Sequence, residues 1–188
     1  MKKVIIIGAS GSLASYVIEA IKGAELTLFV RKKSRLSPKI LNAYNIIEGD
    51  AMKYDIVKKA IAGQDIVYVN LAGNLVAMGK NIVKAMQETG VRRIIAISSI
   101  GIYEKPLKSV LVPYKALADV VENSGLDYTI LRPDWFTNDD EIDYMLTLKG
   151  APEAGAAISR KSIASFVASI IENPELHKRV NLGISKPN

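Results

Sequence analysis

The chain has 188 residues, of which 49% are hydrophobic, and a net charge of +6. That is long enough for one domain with a proper core and too apolar for a disordered chain; no apolar run approaches the ~20 residues that span a bilayer. The absence of cysteine excludes disulfides, thiolate catalysis and zinc–sulfur sites.

Val4 to Ile7 form an unbroken β-branched run, which suits a strand buried on both faces. Gly8, Gly11 and Ala14 follow at three-residue intervals, and Leu13, Val17, Ile18 and Ile21 then repeat at helical spacing. This order is strand, tight turn, helix. Gly8 permits the turn, Gly11 lets the backbone approach a pyrophosphate, and Ala14 keeps helix and strand close. The free N–H groups of the helix and its positive end would face that phosphate. Gly8, Ser10, Gly11, Ser12 and Leu13 are therefore expected to bind a dinucleotide. The same polar residues break the apolar run after Met1-Lys2-Lys3, so the start does not read as a signal peptide, and the cytoplasm is the expected location.

Glu25 to Val30 read as the second strand, with Arg31 at its carboxyl end. An acid there would bind ribose hydroxyls, whereas a cation favours a 2′-phosphate. Arg31, with Lys32 or Arg35 as a second charge, points to NADP(H) over NAD(H). Elsewhere Lys and Arg are scattered, so the positive balance reads as solvated surface, not as a nucleic-acid face. Asn45 to Ile47 give a third strand. Asp50 after it is either an acceptor near the adenine or a turn carboxylate. Asp55 is expected to cap a helix from Ile56 to Ala62.

Asp65 to Asn70 form the fourth strand. With Leu71, Ala72 and Gly73, Asn70 would lie against the cofactor. A helix follows from about Leu75 to Thr89, with Gly90 as its C-terminal cap. Arg93 to Ile97 are the fifth strand, ending in Ser98 and Ser99, whose hydroxyls could hold a substrate carbonyl or the nicotinamide amide, or simply cap the strand. The stretch from Glu104 to Leu111 reads as a basic loop. Pro113 suits the first turn of a helix reaching Asn123. Asp127 to Arg132 give strand six, followed by Pro133, Asp134, Trp135 and Phe136. Tyr144 to Leu148 alternate weakly as a short strand. Ser159 or Arg160 opens a helix over Ile163 to Glu172, and Val180 to Ile184 return to the sheet. Strands alternating with helices predict a single-domain α/β fold: a doubly wound parallel sheet, order 3-2-1-4-5-6 with an extra edge strand, and substrate-side elements from about residue 134.

Gly8-Ala-Ser-Gly11-Ser-Leu-Ala14, Ser98-Ser99-Ile-Gly101 and Ser124-Gly-Leu-Asp-Tyr-Thr-Ile-Leu-Arg132-Pro133 together resemble the atypical short-chain dehydrogenase/reductases. More narrowly they are similar to the small NmrA-like, NAD(P)H-binding group that includes flavin/biliverdin-type reductases. The resemblance covers nearly the whole chain. It implies a Rossmann domain that binds NAD(P), with the nicotinamide near Ser98, Ser99 and the segment after Pro133. The chain departs from the family in three places. Ala14 replaces a third glycine, and Asp134 stands where many relatives carry glycine. Lys115 could match the lysine of the Tyr-x-x-x-Lys pair, but Leu111 stands four residues before it, and Tyr114, its neighbour, points about 100° away on a helix. Tyr103 is then the substitute proton donor. The expected catalytic set is Ser99, Ser98, Tyr103 and Lys115, and no metal ligands are assigned. The reading is a reductase passing hydride to a small electron-poor acceptor such as a flavin or quinone. The alternative is an NADP(H)-binding sensor that acts on a protein partner without turnover.

Overall fold

The β-branched run near the N-terminus forms the centre of the sheet. Lys2–Ile7 (β1) is buried from Val4 onward, and its side chains alternate between two cores: Val4 and Ile6 on one face, Ile5 and Ile7 on the other. Each fully buried aliphatic contributes about 1.5–3 kcal/mol, which explains why both strand faces are apolar.

The computed structural model describes residues 1–188. In chain order the elements are α1 (Ser12–Ala20), β2 (Ala24–Val30), α2 (Pro38–Ala43), β3 (Asn45–Glu48), α3 (Tyr54–Ile61), β4 (Ile66–Val69), α4 (Leu75–Thr89), β5 (Arg93–Ile97), α5 (Val112–Glu122), β6 (Asp127–Pro133), β7 (Phe136–Thr137), β8 (Met145–Leu148), β9 (Ile158–Ser159), α6 (Arg160–Glu172) and β10 (Val180–Ser185). The main sheet has eight strands in the order β3-β2-β1-β4-β5-β6-β10-β8. All neighbours are parallel except β10 and β8, which run antiparallel at the edge. This is the expected doubly wound α/β sheet with its edge addition. Helices α1 and α6 cover one face, and α3, α4 and α5 cover the other. No helix is long and apolar enough to cross a membrane.

Four details differ from the sequence reading. Helix α2 is additional; Ser37 caps it and Pro38 opens it. Asp55 lies inside the first turn of α3, after Lys53 at the N-cap, so it faces the helix dipole but does not cap. β7 and β9 pair into a separate two-stranded sheet, Phe136 opposite Ile158 and Thr137 opposite Ser159. Ser159 then caps α6, which starts at Arg160 and not at Ile163; its hydroxyl accepts from the Ser162 N–H at 2.9 Å. Gly90, left-handed at φ 76°, and Pro113 in the first turn of α5 sit as expected.

A buried arginine fixes the route to β10. Arg93 donates to the carbonyls of Pro174 (2.9 Å), Leu176 (3.0 Å) and Asp127 (2.8 Å) and to Thr129 Oγ1 (2.8 Å). Burial pushes its pKa down to about 10, so it stays charged at neutral pH.

Because β1, β2, β4, β5 and β6 are parallel, the loops after Ile7, Val30, Val69, Ile97 and Pro133 gather at one edge of the sheet. The chain reverses its winding between β1 and β4, which opens a crevice there.

Candidate functional site

The turn after β1 is built from backbone. Gly8 has φ +94°, and a Cβ on it would lie 2.0 Å from the Asn70 carbonyl oxygen, so only glycine lets the two loops pass. The N–H groups of Gly8 and Ala9 donate to Phe29 O at 3.1 and 3.3 Å, and Gly11 N–H closes the turn on Gly8 O at 3.0 Å. Gly11 is the N-cap of α1 and offers no side-chain acceptor. The N–H groups of Ser10, Ser12 and Leu13 have no acceptor within the chain, and all three residues line the crevice. A fully buried Ala14 packs the helix onto the sheet below. Unpartnered N–H groups at the positive end of a helix, with no side-chain cap, fit a diphosphate.

From this turn a cavity of about 970 Å³ extends in both directions, at the top of the ~300–1,000 Å³ range of small-molecule and cofactor sites. At one end stand Arg31 and Arg35, exposed and without an ion-pair partner. Lys32 is not in the wall. It precedes a short helical turn over Lys33–Arg35, and that turn carries Arg35 to the cavity in its place. The nearby acid Glu48 is engaged by the Lys33 N–H at 2.7 Å, outside the cavity. Asp50 serves its turn, accepting from Met52 N–H at 2.9 Å, and also lines the wall.

Asn70, Leu71, Ala72 and Gly73 form the middle of the wall. At the far end are Ser98, Ser99, Pro133, Asp134, Trp135 and Phe136. The two serines differ. Ser98 is 5% exposed, and its hydroxyl donates to the Tyr114 carbonyl at 3.0 Å, tying strand β5 to the start of α5. Ser99 is half-buried and donates to the adjacent Ile100 carbonyl at 3.1 Å, a local bond easily exchanged for a ligand. Asp134 Oδ1 accepts from Trp135 N–H at 2.6 Å, and Trp135 is 81% exposed.

Two residues of the expected catalytic set lie elsewhere. Tyr103 turns its hydroxyl away from the cavity to accept from Asn181 Nδ2 at 2.8 Å. Its ring is bracketed by Lys115, Arg132 and Lys149 at 5.6, 5.2 and 5.0 Å. Lys115 pairs with Asp119 at 2.6 Å, one helical turn on, and does not reach the cavity. Tyr114 does line it, as the 100° offset between helix neighbours requires.

The sequence reading missed the wall supplied by the basic loop: Glu104, Lys108, Val110 and Leu111, with Met78 opposite. A signal was present, because Leu111 and Tyr114 continue at three-residue spacing the buried stripe of Leu117, Ala118 and Val121 on α5. A buried ion pair supports this end. Arg132, 1% exposed, pairs with Glu153, whose other oxygen accepts from the Gly101 N–H at 2.8 Å. Burial holds the Arg132 guanidinium below its ordinary pKa.

A glycine turn with unpartnered N–H groups at the crossover of a doubly wound sheet is the arrangement of a dinucleotide-binding fold. Residues 8–174 match the model of the NAD(P)H-binding family, and the chain belongs to that family. It is 40% identical to a Rossmann-fold NAD(P)-binding family protein from Shigella flexneri; the match covers 100% of this chain and 95% of that one, with a TM-score of 0.91. A short-chain dehydrogenase/reductase from Veillonella parvula, solved in complex with NADP, is 26% identical over 100% of this chain and 95% of its own, with a TM-score of 0.90. An isoflavone reductase homolog, A622-like, from Nicotiana tabacum is 25% identical over 168 residues, 81% of this chain and 53% of that protein. The chain spans about half the length of that curated relative.

Proposed function

We propose that the chain binds NADP(H) and reduces a small, flat, electron-poor acceptor such as a flavin or quinone. The observation that carries this reading is the continuity of the cavity. It runs from two unpaired arginines, over the diphosphate cradle, to half-buried Ser99 between apolar walls. Bound there, the cofactor would supply the hydride.

The N–H groups of Ser10, Ser12 and Leu13 bind its diphosphate, and Arg31 and Arg35 bind the 2′-phosphate. Leu71, Ala72 and Gly73 let the backbone lie flat against it. Met78, Val110, Leu111, Trp135 and Phe136 hold the acceptor. Ser99 donates a hydrogen bond to the acceptor atom that gains charge. No lysine-activated tyrosine is needed, because such acceptors take their proton from water. The NADP-bound Veillonella relative and the tobacco reductase homolog support this reading.

The test is NADPH oxidation, followed by absorbance, with a panel of flavins and quinones. Turnover of at least one acceptor, abolished in Gly11→Val, is the expected result. Cofactor binding with no turnover of any acceptor would replace this reading with that of an NADP(H)-binding sensor.

A further inference from the structure

Arg160 stands where two separate walls of the cavity meet. Its Nε lies 3.4 Å from Ser12 Oγ on the first turn of α1. Its Nη1 donates to Asn138 Oδ1 at 2.8 Å and to the Thr137 carbonyl at 3.3 Å, and its guanidinium carbon lies 5.0 Å from the Phe136 ring centroid. Ser12 and Phe136 line the cavity, and Arg160 touches both.

The backbone at Arg160 is held in place. Ile158 and Ser159 pair with Phe136 and Thr137, Ile158 N–H donates to Trp135 O at 2.8 Å, and the Ser159 hydroxyl donates to Glu141 O at 2.8 Å. The short β7–β9 sheet thus delivers the arginine to this position.

The charge balance there is incomplete. The acids that follow Asn138 are engaged by other groups: Asp140 by Lys161, and Asp139 by the Thr137 hydroxyl at 2.8 Å. Arg160 has no carboxylate partner. It sits beside the N-terminus of α1, whose leading N–H groups are also unpartnered. A cation at the positive end of a helix is unfavourable by the same dipole that favours an anion there. An anion between the two reverses the sign of both interactions. The 3.4 Å contact to Ser12 is at the limit of a hydrogen bond and costs little to exchange for a phosphate oxygen.

We propose that Arg160 is a binding residue for the dinucleotide diphosphate, and that it clasps the phosphate turn to the wall carrying Trp135. This rests on the cofactor reading above. It differs from the role of Arg31 in one measurable way: the diphosphate is common to NADPH and NADH, whereas the 2′-phosphate is not.

The experiment titrates NADPH, NADH and adenosine 2′-monophosphate calorimetrically into the parent, Arg160→Met, Arg160→Lys and Gly11→Val, and follows the emission of Trp135, the single tryptophan, in the dinucleotide titrations. Arg160→Met is expected to weaken NADPH and NADH by the same factor, on the order of tenfold. Arg160→Lys recovers part of the loss. Adenosine 2′-monophosphate, which lacks the diphosphate, binds all four proteins alike, and the emission change at saturating dinucleotide is smaller in Arg160→Met. Parent-like dinucleotide affinity in Arg160→Met, with binding lost in Gly11→Val, overturns the proposal and leaves the cofactor reading standing. Parent-like affinity in Gly11→Val as well overturns both. An equal loss of adenosine 2′-monophosphate would mean that Arg160 acts through folding, and also overturns the proposal.

Discussion

Replacing Arg31 with alanine removes a charge that nothing else in the chain engages. Arg31 is exposed, lines the cavity and forms no ion pair, so the free protein keeps all its own contacts when the side chain is cut back. The whole effect should fall on the ligand. A 2′-phosphomonoester carries nearly two negative charges and three acceptor oxygens, and a guanidinium meets it with a planar fork. An exposed ion pair contributes up to about 1 kcal/mol, and a charge-assisted hydrogen bond about 1.5–3 kcal/mol. Arg35 lies in the same wall and compensates in part, which places Arg31→Ala near the lower figure. The expected loss of NADPH affinity is roughly tenfold, rising towards a hundredfold in the Arg31→Ala, Arg35→Ala double variant. NADH affinity should be unchanged in both. The NADPH effect should shrink with added salt, because both charges are within reach of counterions. Fluorescence titration of the two cofactors at two salt concentrations measures all of this. Equal losses for NADPH and NADH would refute the reasoning and assign Arg31 to ribose contacts or to folding.

Ser99→Ala should slow hydride transfer by about 2–4 kcal/mol of transition-state stabilisation, whereas Tyr114→Phe should stay near the parent rate, since Lys115 is paired with Asp119 and cannot activate it. Single-turnover NADPH oxidation checks the pair, and the opposite asymmetry would reveal a proton-donating tyrosine. Glu153→Gln keeps an acceptor for the Gly101 N–H but leaves Arg132 buried without a counter-charge. It should cost roughly 3 kcal/mol, or on the order of 10 °C in Tm, and an unchanged melt would show that the pair does not stabilise the fold.

The glycine turn after β1 was readable because three signals coincide between Val4 and Ile21: a β-branched run, glycines at three-residue spacing, and an apolar helical stripe. The sheet order followed from the same alternation repeated along the chain. What escaped has physical reasons. Strands β7 and β9 are two residues each, too short to carry any period. Helix α2 has six residues, none fully buried, and only Ile40 among them packs against the core, too little to carry a period. The sequence left Lys32 and Arg35 open as the second charge, because proximity to β2 does not give direction; one short helical turn brings Arg35, and not Lys32, to the wall. Tyr103 shares the loop of Ser99, yet Asn181 draws its hydroxyl to the opposite side. Arg160 lies 148 residues from Ser12, and no local pattern could join them.

The central claim is that a dinucleotide diphosphate lies on the backbone between Gly8 and Leu13. It is tested most directly by titrating NADPH into the parent and into folded Gly11→Val. A Cβ at Gly11 stands 3.3 Å from Gly8 O, tighter than an ordinary contact, and 3.9 Å from Asn70 Nδ2, so circular dichroism first establishes that the variant is folded; the branched methyls then stand where phosphate must come. Saturable binding by the parent, with a loss of about a hundredfold or more in the variant, is the predicted result, since close backbone approach supports every diphosphate hydrogen bond. Equal affinity in the two proteins would contradict the account.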